Sequence, residues 1–119
     1  MKLPKPMTSV ERRWFNEVGF PMWATKRIKF KPEFQPCKIR LSPRRTYTPD
    51  FRVVWADGGT AYIEVKAVSR SKRTGRKWVS GSRDSIVRLE WAAKEWADDE
   101  FYLYEWDGEA WANRRVEGR

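Results

Sequence analysis

Apolar positions fall into patterned stretches separated by proline, glycine and charge. Thr8-Ser9-Val10-Glu11 has the S/T-x-x-E form of a capping box, and Val10, Trp14 and Val18 recur at i, i+4 and i+8, which predicts a helix ending near Val18. Gly19 is its expected C-terminal cap, with Pro21 shortly behind. Residues 23–45 are basic and broken by Pro32, Pro36 and Pro43, so they read as loop with one short strand at 37–41, where Cys37 is a small buried apolar residue. Two β-branched and aromatic runs within 47–67 flank Asp57-Gly58-Gly59 and predict a hairpin. With residues 57–59 as the loop, position i pairs with 116 − i, so Trp55 meets Ala61, Val53 meets Ile63 and Phe51 meets Val65 on one apolar face. Asp50, Arg52, Tyr62, Glu64 and Lys66 then share the other face, with Asp50 opposite Lys66 and diagonal to Glu64.

Residues 68–83 hold six basic and no acidic side chains among Ser, Thr and Gly, which predicts a long basic loop. A second helix starts at Ser82 or Asp84, with Ile86, Leu89, Ala93 and Trp96 or Ala97 as its apolar face and Glu90 and Lys94 as an i, i+4 pair. Residues 101–106 read as a strand, Asp107-Gly108 as a turn and the following stretch as a short last strand. No internal repeat or low-complexity segment is present. This order predicts an α/β fold: a flexible arm at 1–7, then one small domain over 8–119 in which two helices flank a mixed β-sheet with a central hairpin.

Composition narrows the chemistry. The 119 residues contain no histidine, which excludes Ser-His-Asp and Cys-His catalysis and His-ligated zinc. A lone Cys37 allows neither an intrachain disulfide nor a thiolate zinc cluster. Carboxylates, Lys, Tyr and oxygen-bound metals remain. No run approaches the roughly 18 apolar residues of a membrane span, and the N-terminus lacks an apolar signal core, so the expected location is cytoplasmic, away from membranes. The net charge of +9 is uneven: residues 1–83 carry 20 basic and 6 acidic side chains, residues 84–119 carry 5 and 10. A basic body of this density points to a polyanion, with nucleic acid the usual one; solubility or an acidic protein partner is the alternative.

Asp50 and Glu64 on one hairpin face form a carboxylate pair a divalent cation can bridge, with the Lys66 ammonium alongside. Hard oxygen ligands suit Mg²⁺, with Mn²⁺ as a substitute, and phosphodiester hydrolysis needs those parts. The same residues also read as an exposed polar face in which Arg52 pairs with Glu64 and Lys66 with Asp50.

Pro49-Asp50, thirteen residues, then Glu64-Val65-Lys66 is the signature of the PD-(D/E)XK nuclease superfamily. Thr46-Tyr47-Thr48-Pro49-Asp50-Phe51 with Glu64-Val65-Lys66, and upstream Thr8-Ser9-Val10-Glu11, resembles the bacteriophage endonuclease I family of Holliday junction resolvases. The resemblance covers residues 8–20 and 46–67 and implies a restriction-endonuclease-like fold, a homodimer and cleavage of branched DNA. It further implies Asp50, Glu64, Glu11 and the Val65 carbonyl as metal ligands and Lys66 as the catalytic lysine. Glu11 also reads simply as the capping-box glutamate, with Glu17 as the alternative acidic residue on that helix. Ala67 stands where the family often has Gly, and residues 84–119 carry no quotable likeness. Another nuclease of the superfamily (nicking, recombination-associated or transposon-end) and a non-catalytic basic DNA-binding accessory protein are the competing functions.

Before the hairpin lie Lys26, Arg27, Lys29, Lys31, Lys38, Arg40, Arg44 and Arg45; after it come Arg70, Lys72, Arg73, Arg76, Lys77 and Arg83. From Lys38 onward these are the expected phosphate contacts, adding salt-dependent affinity without reading bases. Of the eight tryptophans, Trp14, Trp55 and Trp96 fall on apolar faces, whereas Trp91 and Trp111 are harder to bury and suggest a dimer surface. Base stacking by Trp78 in the basic loop is the less favoured reading of that residue.

Overall fold

A computed structural model describes residues 6–70, 73–79 and 83–117, with only the backbone at Arg70, Lys77 and Val79. Thr8 caps α1 (Ser9–Trp14) through both halves of a capping box. The helix does not stop near Val18. It passes through a π turn (Phe15–Gly19) into α2 (Phe20–Ala24), with Pro21 in the first turn of that segment, where a missing N–H costs least. Gly19 has helical dihedrals and serves close packing rather than capping: a Cβ there would lie 2.7 Å from Pro32 Cγ and 2.8 Å from Trp14 Cζ3.

Five strands form one path in the main sheet: β1 (Glu33–Phe34), β4 (Phe51–Val54), β5 (Thr60–Arg70), β7 (Glu100–Trp106) and β8 (Trp111–Arg115). A sixth, β6 (Lys77–Val79), pairs with the far end of β5. Strands β5 and β7 are parallel, joined by a crossover containing α3 (Asp84–Glu95), and the remaining pairings are antiparallel, so the sheet is mixed. A separate hairpin pairs β2 (Ile39–Ser42) with β3 (Arg45–Tyr47). The strand expected at 37–41 is thus β2, shifted toward the C-terminus, with Cys37 half-buried outside it. The basic loop expected at 68–83 is instead partly an antiparallel arm, with Ser69 opposite Trp78; Lys72 and Ser82 lie outside the described residues.

The central hairpin has a different register from the expected one: Phe51 pairs with Ile63, Arg52 with Tyr62 and Val53 with Ala61, so position i meets 114 − i. Trp55 N–H donates to the Gly59 carbonyl at 2.7 Å, making residues 56–58 the loop, and Gly58 supplies the positive φ of +100° before the strand resumes. Only one glycine is needed in the turn, so the loop lies one residue earlier. The shift of two in register preserves which side chains share a face.

Both faces of the sheet are covered. Trp14, Met22 and Ile28 pack on Phe51, Val53, Ala61, Ile63 and Val65. On the opposite face, Ile86, Leu89, Ala92 and Ala93 of α3 and Ile39, Leu41 and Tyr47 of the β2–β3 hairpin close over Tyr62, Phe101 and Leu103. Trp96, expected in the core, is exposed just past the end of α3, and Ala97 is exposed with it. Trp55 is half-buried, its indole N–H donating to Glu100 at 2.8 Å. Trp91 and Trp111 are half-buried too, the latter ring 5.2 Å from Trp106. The i, i+4 ion pair on α3 is Arg88 with Asp84, rather than Glu90 with Lys94. Among the described residues, no helix is long and apolar enough to cross a membrane.

Candidate active site

Where β4 stops and β5 continues, backbone groups lose their partners and side chains replace them. Extending the register sets Val65 opposite Pro49, which has no N–H to offer the Val65 carbonyl. The Val65 N–H instead donates to Asp50 Oδ2 at 2.8 Å, and the Asp50 N–H donates to the Ile63 carbonyl at 3.0 Å. A strand residue directs its N–H and C=O to the same edge, so the Val65 carbonyl emerges beside Asp50. Pro49 is fully buried, which fixes the approach of this segment.

Asp50 therefore lies beside Glu64, not opposite Lys66 as the first register had it. Glu64 is buried at 3% exposure. Its Oε1 accepts from the Tyr47 hydroxyl at 2.7 Å, and its Oε2 lies 3.4 Å from Lys66 Nζ. Arg52 pairs with Glu33 at 2.7 Å rather than with Glu64. Burial first, then the Glu64 carboxylate and a hydrogen bond with it, push the Asp50 carboxyl up from 3.8 to about 10, against the lowering effect of the Val65 N–H. Burial, followed by Glu64, raises Tyr47 well above 10.0, so its hydroxyl remains a donor.

Glu11 reaches this pair from α1. Its Oε1 accepts the capping bond from Thr8 N–H at 2.8 Å, and its carboxyl lies near enough to Asp50 to add to the upward push on that group. The cap and the site thus use one residue. Glu17 is instead engaged at the surface by Arg13 at 2.7 Å.

A cavity of about 300 Å³ opens onto Asp50, Glu64 and Lys66, bounded by Thr46, Tyr47 and Thr48 on one side and by Ser85 and Arg88 of α3 on the other. Arg88 Nη1 donates to the Thr46 carbonyl at 3.0 Å and joins α3 to β3. Tyr47 and Arg88 were missed as site residues in the sequence. Tyr47 sits three residues before Asp50 in the quoted motif, a signal that could have found it; Arg88, 22 residues beyond Lys66 in sequence, carried none.

Among the described residues no three His, Cys, Asp or Glu side chains form a ready cation cage. The donors present fit a small hard cation nonetheless. Half-buried Asp50 and buried Glu64 bring two carboxylates to one place, each has lone pairs beyond those engaged, and Mg²⁺ takes few protein ligands.

Arg40, Arg44 and Arg45 are exposed on the β2–β3 hairpin that delivers Tyr47 to the cavity, and Lys38 is exposed just before it. Arg73, Arg76 and Arg83 are exposed beyond the other end of the site. Lys29 belongs elsewhere: its amide bonds the Val54 carbonyl at 2.8 Å, toward the tip of the central hairpin.

Tyr47→Phe is expected to lower the stability of the metal-free protein by about 2 kcal/mol in urea unfolding, because it leaves a buried Glu64 oxygen without its donor. An unchanged midpoint would show that the hydroxyl does not support the carboxylate. In comparisons with known proteins, no family model, no curated sequence and no solved structure matches this chain.

Proposed function

We propose that the chain is a metal-dependent DNA endonuclease of the PD-(D/E)XK type, with a restriction-endonuclease-like arrangement, that cuts branched DNA as a junction resolvase. The observation that carries this reading is half-buried Asp50 set against buried Glu64, beside Lys66 on a solvent-open cavity. An ordinary surface hairpin would not bury Glu64 or raise Asp50 so far.

Asp50, Glu64 and the Val65 carbonyl would hold Mg²⁺, with Glu11 completing the set. Bound there, the cation would lower the pKa of water and offset charge developing on the phosphate. Lys66 would orient the attacking water and stabilise the developing negative charge. Water adds to phosphorus as the bond to the 3′ oxygen breaks, leaving a 5′-phosphate and a 3′-hydroxyl. Arg40, Arg44 and Arg45 would hold flanking phosphates, and a homodimer would present two such sites to two strands.

Purified protein with Mg²⁺ on a synthetic four-way junction and a matched linear duplex tests the reading. Paired symmetric nicks on the junction alone, absent in EDTA, are expected. Equal cleavage of both substrates would remove the junction preference and keep the nuclease. Salt-sensitive binding without cleavage of either would remove the nuclease.

A further inference from the structure

We propose that a second cavity, at the base of the β5–β6 arm, receives an unpaired nucleobase of the DNA strand being cut. The identity of the polymer rests on the nuclease reading above. The cavity measures about 530 Å³, within the range of small-molecule sites, and is lined by Val68, Arg76, Trp78, Arg83, Ala112 and the carboxylates Glu105 and Asp107.

Its chemistry matches the parts of a nucleotide. Trp78 is 53% exposed although it borders a cavity, so much of its indole is available to a ligand. Stacking on an aromatic ring suits every base but requires a base face freed from the duplex. Arg76 and Arg83 supply the cations a phosphate needs, and a carboxylate such as Glu105 accepts from exocyclic amino groups of bases. Val68 and Ala112 add small apolar surface. Arg76 and Arg83 balance Glu105 and Asp107 at Trp78, whereas Trp96, the other exposed indole, has Glu95, Asp98 and Asp99 against Lys94 alone in its stretch of chain, a net negative surface that repels a DNA strand.

Position ties this cavity to the carboxylates. Val68 lies two residues beyond Lys66 on β5, about 7 Å along the strand, and Glu105 is the register partner of Lys66 on β7. A DNA strand with its scissile phosphate at Lys66 would therefore bring a neighbouring base to Trp78. Unpaired bases occur at branch points, so the cavity would favour branched substrates through local opening rather than sequence.

Equilibrium binding in EDTA separates base from phosphate recognition. The probes are a fluorescein-labelled single-stranded oligonucleotide, the same strand with abasic sites, and a fully paired duplex. Trp78→Ala is expected to weaken single-strand binding roughly tenfold, with Trp78→Phe restoring most of it and duplex affinity nearly unchanged. The wild type should bind the abasic strand correspondingly more weakly. Equal single-strand affinity of wild type and Trp78→Ala, with both folded by circular dichroism, would overturn the proposal, as would tight abasic binding. Cleavage in Mg²⁺ keeps the two readings apart. A protein that cuts DNA but binds single strands independently of Trp78 loses only the base site; one that never cuts but needs Trp78 for single strands loses only the nuclease.

Discussion

Asp50→Asn is expected to reduce cleavage by about a thousandfold or more while raising the melting temperature of the metal-free protein. In the proposed site the activity loss would follow from replacing an anionic metal ligand by a neutral amide. The stability gain follows from the electrostatics of the empty pair. Burial and Glu64 push Asp50 from 3.8 to about 10, so the folded state holds a proton that the unfolded chain releases. That stabilising contribution is fully present below about pH 4 and is lost as pH rises toward 10. Near pH 7 the wild type has already lost part of it. An Asn keeps an acceptor for the Val65 N–H and a permanent donor for Glu64, with nothing to ionise. A rise on the order of 5 °C in EDTA is expected, together with a flatter stability profile between pH 5 and 9. Mg²⁺ should raise the melting temperature of the wild type and not that of the variant. Retained cleavage by Asp50→Asn would refute the site assignment, and an unshifted metal-free melt would refute the raised Asp50 carboxyl.

Trp14→Ala is expected to cost about 3–5 kcal/mol in urea unfolding, a large part of the roughly 5–15 kcal/mol that holds a domain of this kind together. Trp14 is wholly buried, its ring 4.5 Å from Phe51 and 5.6 Å from Tyr104, and Gly19 lies against it in the next turn. The same helix carries Glu11 one turn earlier, so loosening Trp14 also withdraws Glu11 from Asp50 and should lower cleavage. Trp14→Phe separates packing from presence of the indole: the Nε1 hydrogen is buried without a partner, so its removal offsets part of the lost volume, and a cost below about 1.5 kcal/mol is expected. Equal destabilisation by Ala and Phe would show that the N–H, not the ring packing, matters at this position.

Much of the arrangement was legible along the chain because it depends on local periodicity. Alternation around Asp57-Gly58-Gly59 assigned the faces of the hairpin, and a register error of two left them intact. The capping box opened α1 at Thr8 as expected, since its two hydrogen bonds span only three residues. The proline, aspartate, glutamate and lysine spacing picked out Asp50, Glu64 and Lys66, which the fold brings to one cavity. The helix end was misplaced because glycine and proline also occur inside helices when packing or a π turn accommodates them, as at Gly19 and Pro21. The arm at Lys77–Val79 was missed because Trp78 and Val79 are two adjacent apolar residues in an otherwise charged and small stretch, too few to show an alternating pattern.

By itself, the sequence determined the α/β class, the absence of imidazole and paired-thiol chemistry, and the set of oxygen donors from which a site could be built. Those follow from composition and from repeats of two or 3.6 residues, which any short window contains. Tertiary structure alone decided that Asp50 lies beside Glu64, that Tyr47 and Lys66 hold the buried carboxylate, and that α3 brings Arg88 to the cavity rim. It also decided that Glu11 serves the cap and the site together. Each of these depends on where one element ends against another, an outcome of packing between residues distant in sequence, and the raised Asp50 carboxyl exists only once that packing has excluded water.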